Sequence, residues 1–161
     1  MLHLPIAKAT FKFSNNKKWQ GGDIPVMINP SEIIIKLENT DQFSKKIIME
    51  LIFDLVEQYE KAVQDDKHVY YAIAGDEDFT DDDTSVGVNN IHVYNTNLCC
   101  YKSLYNAFNE GDAVKFSWGT DIEIIGKISE IYSNFSYFSS TGDPLRAVVN
   151  LTITKEDVGL D

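Results

Sequence analysis

The sequence predicts a mainly β (α+β) fold with one flanking α-helix. Two observations carry that reading: strict period-two alternation through the last third of the chain, and a single strong helical periodicity over Asn97–Asn109. In the last third, Val114, Phe116 and Trp118 share one face while Ala113, Lys115 and Ser117 share the other. Ile122, Ile124 and Ile128 repeat the pattern around Gly126, and Leu145, Ala147, Val149, Leu151 and Ile153 oppose Arg146, Asn150 and Thr152. Three strands in succession, each with an apolar and a polar side, make a sheet with one buried face.

The other elements follow in chain order. Ala7, Ala9, Phe11 and Phe13 alternate with Lys8, Thr10 and Lys12 and form a first strand. Asn15–Asp23, rich in Asn, Lys and Gly, reads as a turn or loop. Ile24, Val26 and Ile28 begin a second strand that Pro30 stops, because proline has no N–H for a ladder. Ile47, Met49, Leu51 and Phe53 alternate again, after which Asp54, with Glu57 three residues on, is placed to cap a short helix carrying Leu55, Tyr59 and Ala62 on one side. In Asn97–Asn109, Leu98, Tyr101, Leu104, Tyr105 and Phe108 recur at three- and four-residue intervals; Thr96 or Asn97 caps the start, and Gly111 suits the left-handed position past the end. That helix should pack on the sheet.

Composition narrows the function classes. The chain has 161 residues, enough for one domain with a core and no disulfides. It carries 25 acidic and 14 basic side chains, a formal charge of −11 that argues against a phosphate-backbone binder. No apolar run approaches the roughly 20 residues that cross a bilayer, and the amino-terminal MLHLPIAKATFKF lacks a signal peptide's layout. A soluble, cytoplasmically made protein is expected. Cys99 and Cys100 are neighbours, so a bridge between them closes a strained ring rather than a useful loop, and reduced structural thiols are the expectation. His3, His68 and His92 form no HxH or HExxH grouping with which to hold zinc.

No catalytic constellation stands out: GxSxG, GxxxxGK[ST] and GxGxxG are all missing. Asp76, Glu77, Asp78, Asp81, Asp82 and Asp83 invite a calcium reading. An EF-hand count from Asp76 puts Asp81 at the turn-glycine position and Gly87 at the bidentate-glutamate position, so the stretch reads instead as a solvated acidic loop, an insertion around 75–84. Tyr132, Phe135, Tyr137 and Phe138 are divided by alternation, Phe135 and Tyr137 to one side and Tyr132 and Phe138 to the other. Aromatics so placed serve a core or a subunit interface. Arg146 falls on the polar side of its strand, where it can be solvated.

The wording of the carboxy-terminal strands is itself specific: VKFSWG at Val114–Gly119, IIGKISEI at Ile124–Ile131, and YFSSTGDPLRAVVNLTI at Tyr137–Ile153, preceded by INPSE at Ile28–Glu32 and MELIFDL at Met49–Leu55. In this order the elements resemble the tube-protein family of contractile injection systems and contractile phage tails. The resemblance covers most of the chain outside Val63–Thr96. It implies a single antiparallel β-sandwich or barrel of the phage tail tube type, six copies of which form a ring whose inner strands pair between neighbours. Asp54, Phe116, Trp118, Gly119, Gly126, Phe138, Gly142, Pro144 and Arg146 are the positions it marks as structural or interface residues, and the family's Pro-x-Arg-Ala segment implies a fixed role for Arg146, such as pairing with Asp54 or another buried carboxylate. The implied partners are further copies, tube rings, and spike-hub and baseplate subunits, with no cofactor, metal, membrane or sequence-specific nucleic acid. The expected life history is assembly in the bacterial cytoplasm and then residence in the particle. Within the family the expected role is the tube-initiating or adaptor subunit; members similar over these elements carry a LysM module, which is not expected here, since the sequence ends at Asp161. A competing class is a small-ligand carrier with an aromatic-lined barrel; a metal-dependent enzyme built on the aspartates is a third.

Overall fold

The computed structural model describes residues 7–15, 18–39, 43–65, 68–70, 90–92, 96–140 and 142–156. The acidic stretch 76–83 and His3 lie outside these residues, as do the side chains of Leu98, Cys99 and Cys100. The predicted mainly β class is what the chain adopts. β1 (Thr10–Asn15), β2 (Lys18–Pro25), β3 (Ile33–Asn39), β4 (Phe43–Asp54), β7 (Ala113–Trp118), β8 (Ile122–Phe138) and β9 (Pro144–Lys155) form one antiparallel sheet in the order β2-β1-β7-β8-β9-β4-β3. α1 (Val56–Gln64) follows β4 and α2 (Thr96–Glu110) precedes β7; β5 (His68–Tyr70) and β6 (Asn90–His92) pair separately and in parallel.

Alternation decides which side is buried. Val114, Phe116, Ile124, Ile128, Leu145, Ala147, Val149, Leu151 and Ile153 all enter the core, with Ile47, Met49, Leu51 and Phe53 from β4 and Ala9 and Phe11 from the start of the chain. Phe11 and Phe116 meet at 5.1 Å between ring centroids, and Tyr101 of α2 packs edge-on to Phe53 at 5.7 Å. α2 covers this face with Tyr101, Leu104 and Ala107. It ends where expected: Gly111 has φ +71°, and Asp112 N–H donates to the Ala107 carbonyl at 3.0 Å, closing the last turn. Tyr105 and Phe108, read from the periodicity as part of the packed stripe, are left exposed, so the covering face of α2 is narrower than its apolar pattern.

Two expectations need correction. Asn15–Asp23 is not a loop: Asn15 ends β1, and Lys18–Pro25 is an edge strand paired with it, with Gly21 at φ +67°. An edge strand needs no apolar alternation, which is why its polar sequence misleads. The second predicted strand is accordingly split. Ile24 ends β2, Val26 is buried, and Ile28 makes an isolated bridge to Ile52 on β4.

That bridge draws the two halves of the sheet together. Val26 N–H donates to the Ala9 carbonyl at 2.9 Å, and two residues later the chain touches β4 at the far side of the sheet order. Asn29 fastens the crossing with its side chain: Oδ1 accepts from Ala9 N–H at 2.9 Å and Nδ2 donates to the Ala7 carbonyl at 3.0 Å. Trp118 donates its indole N–H to the same Ala7 carbonyl at 3.0 Å. Trp118 is thus half-buried rather than a core side chain, since a ring that must reach a carbonyl at the strand end cannot also sink into the apolar interior.

Candidate assembly surface

The long strand β8 joins two staggered halves of the sheet. β7 pairs with Ile122–Lys127 along one edge, while β9 pairs with Gly126–Phe138 along the other. Beyond Lys127, no strand among the described residues covers the first edge. At the opposite end of the sheet β3 is the last strand. Among the described residues the unit β8-β9-β4-β3 therefore has two open edges, each a row of backbone donors and acceptors able to pair with another strand.

The exposed apolar side chains gather at those edges. Ile34, Ile35 and Leu37 on β3 are 50, 50 and 61% exposed, and Tyr132, Tyr137 and Phe138 on distal β8 are 61, 61 and 59% exposed. These are six of the ten exposed large hydrophobics among the described residues, and Ile28, beside β4, is a seventh. A β-bulge between Ile128 and Glu130 resets the alternation of β8. After it Ile131 and Phe135 face the core, while Tyr132 and Phe138 face out, as expected. Tyr137 departs from the expected pairing with Phe135 because its φ of +55° swings it away from the core side.

The opposite face of the four-stranded unit is built from cross-strand rows. Lys36, Lys46 and Lys127 lie in one row with Thr154; Ile28, Ile52, Val148 and Asn134 in another; Asp54, Arg146 and Ser136 in a third. Arg146 Nε stands 3.5 Å from Asp54 Oδ2 with both side chains about one-third exposed, so the carboxylate is a surface partner rather than a buried one. Asp54 Oδ1 also accepts the Val56 N–H at 2.9 Å, but the N-cap residue of α1 is Leu55, one position later than the Asp54–Glu57 spacing predicts, and the cap has no side-chain hydrogen bond. On β3, Lys36 and Glu38 are 2.8 Å apart; that hydrogen bond and its Coulomb attraction raise the Lys36 pKa and lower that of Glu38.

The turn between β8 and β9 is tied to α1. Ser139 N–H donates to the Asp143 carbonyl at 2.8 Å, and Gly142 takes φ +89°, a conformation open to glycine at no steric cost. Tyr59 of α1 accepts the Ser140 N–H at 3.0 Å and lies 3.3 Å from its hydroxyl, and the Ser140 hydrogen bonds hold the Tyr59 phenol below its ordinary pKa. On the other side of α1 an open groove of about 360 Å³ is lined by Ile28, Asp54, Val56, Glu57, Gln58 and Glu60.

The positions singled out from sequence separate into two groups. Asp54, Arg146, Phe138, Gly142 and Pro144 lie together around the β8–β9 turn. Phe116, Trp118, Gly119 and Gly126 lie along the β7–β8 hairpin. Phe116 is fully buried, and Gly119 turns the hairpin at φ +66°. A Cβ on Gly126 would run into the Thr154 carbonyl. Sequence reasoning missed β3 and the Asn29 clamp; the Ile33–Ile35 run and an asparagine before proline were their only signals. Among the described residues no group of His, Cys, Asp and Glu is placed to hold a metal ion, and no helix is long and apolar enough to cross a membrane.

No curated protein matches the chain. A model of the contractile injection system tube proteins, however, matches residues 6–158, nearly the whole sequence and every strand of the main sheet. The chain belongs to the contractile injection system tube protein family.

Proposed function

We propose that this protein is a structural ring subunit of a contractile injection particle, six copies closing around a channel through β3 of one copy and distal β8 of the next. The observation that carries the proposal is the concentration of exposed apolar side chains on those two open edges. Strand direction supports it. β8, β9, β4 and β3 alternate, so β3 runs opposite to β8; two copies in the same orientation then meet as a further antiparallel pair. One heterologous contact, repeated, closes a ring and consumes both edges. The core and α2 occupy one side of this sheet, leaving the other to line the channel. That side carries Lys36, Lys46, Lys127 and Arg146 against Glu38, Glu50, Asp54 and Glu130, so the charges along these rows are balanced.

In this reading the ring belongs to the inner tube or to the adaptor that joins the spike hub to it, and its partners are like rings and baseplate subunits. A lysine at Leu37 or Tyr132 tests it, because both side chains are exposed in the single chain and buried in the ring. Leu37→Lys and Tyr132→Lys should keep the melting temperature and be excluded from particles when produced in the native host. Incorporation equal to that of the parent chain would refute the edge pairing.

A further inference from the structure

Tyr137 has a positive φ in a strand, an arrangement that a bulky side chain adopts at a steric cost and that clusters at functional positions. Inside its own chain that conformation delivers an aromatic ring to solvent. At the same height on the opposite edge of the four-stranded unit lies the groove beside α1. Ser136, next to Tyr137, shares a cross-strand row with Arg146 and Asp54, and Asp54 is part of the groove wall.

We infer that Tyr137 of one copy seats in the groove lined by Ile28, Val56, Glu57, Gln58 and Glu60 of the next copy. The inference rests on the ring reading and adds to it a specific knob and socket. The groove's volume of about 360 Å³ accommodates a single aromatic side chain. Its apolar surface comes from Ile28, exposed and otherwise without reason to be so on β4's flank, and from Val56. Its rim offers carboxylates at Glu57 and Glu60 and an amide at Gln58. A tyrosine matches both requirements, with a ring for the isoleucine and valine and a hydroxyl that donates to a carboxylate. The occupant is a second copy because knob and socket lie on opposite edges of one sheet at one level, so the rotation that brings β3 to a neighbour's β8 also brings the groove to that neighbour's Tyr137.

The test is disulfide trapping in particles purified from the producing cells. One variant carries Gln58→Cys with Tyr137→Cys, a second carries Ile34→Cys with Tyr132→Cys across the proposed strand edge, and each single-cysteine variant controls for Cys99 and Cys100. After mild oxidation, the Gln58/Tyr137 pair should give a ladder of cross-linked chains that its single variants lack. A ladder from the Ile34/Tyr132 pair alone would overturn the knob and socket and leave the ring standing; ladders from neither would overturn both. Tyr137→Asn, which tolerates the left-handed backbone, gives an independent reading: it should keep the melting temperature and lower incorporation into particles, and unchanged incorporation would overturn the inference.

Discussion

Replacing Asn29 by alanine removes the side chain that fastens the crossing between the two halves of the sheet. Ala9 is fully buried, and its N–H donates to Asn29 Oδ1 at 2.9 Å. Left without an acceptor, a buried N–H costs about 1–3 kcal/mol. The second bond, from Nδ2 to the Ala7 carbonyl, is worth less, about 0.5–1 kcal/mol, because Trp118 Nε1 still donates to that carbonyl at 3.0 Å. Together the loss is about 1.5–4 kcal/mol. For a chain of this size that corresponds to a fall of roughly 3–16 °C in Tm. Thermal and urea unfolding followed by far-ultraviolet circular dichroism would measure it, the urea midpoint moving with little change in slope. Asn29→Asp keeps the acceptor for Ala9 and should lose less than the alanine variant. A loss below about 0.5 kcal/mol for Asn29→Ala would show that the crossing is not held by this side chain.

The two aromatic residues of β7 should separate sharply: Phe116→Ala costs about 3–5 kcal/mol as a core truncation, whereas Trp118→Phe, which removes the indole donor and trims a half-buried ring, costs about 1–2 kcal/mol. Equal losses in urea melts would contradict the half-buried placement of Trp118. Gly126→Ala drives a methyl into the Thr154 carbonyl and should cost about 1–3 kcal/mol; an unchanged melt would mean the hairpin has room there. Tyr59 is held below the ordinary phenol value of 10.0 by Ser140, so the unfolded chain binds its proton more tightly than the folded one, and this group's contribution to stability rises as pH climbs through its folded pKa. Ultraviolet titration should show one early-titrating tyrosine that Tyr59→Phe abolishes, and a titration identical to the parent's would refute the assignment.

The buried strands were legible because burial on one side forces a period of two. Leu145 to Ile153 alternates without a break and every inward position is in the core. The last turn of α2 was legible for a local reason, since Gly111 supplies the left-handed residue that the helix end requires. Edge strands were not, because a strand with one free side has no pattern to keep. β2 is polar, and β3 places Ile34 and Ile35 on opposite faces, both half-exposed. Long-range hydrogen bonds leave no periodic trace either: Asn29 reaches Ala7 and Ala9 across both β1 and β2, and Trp118 reaches Ala7 across 111 positions. At the assembly surface the residues of the β8–β9 turn were marked by the family wording. The exposure of Tyr137 depends on a single backbone angle that alternation does not reveal.

Electron microscopy of particles from the native host, with this chain tagged at its carboxy terminus, puts the ring assembly to the test. Label is expected on the tube or at its baseplate end, with sixfold averages in which β3 of each copy runs antiparallel to β8 of its neighbour around an open channel. A tagged chain that never enters a particle and purifies as a ligand-filled monomer would contradict the ring assembly.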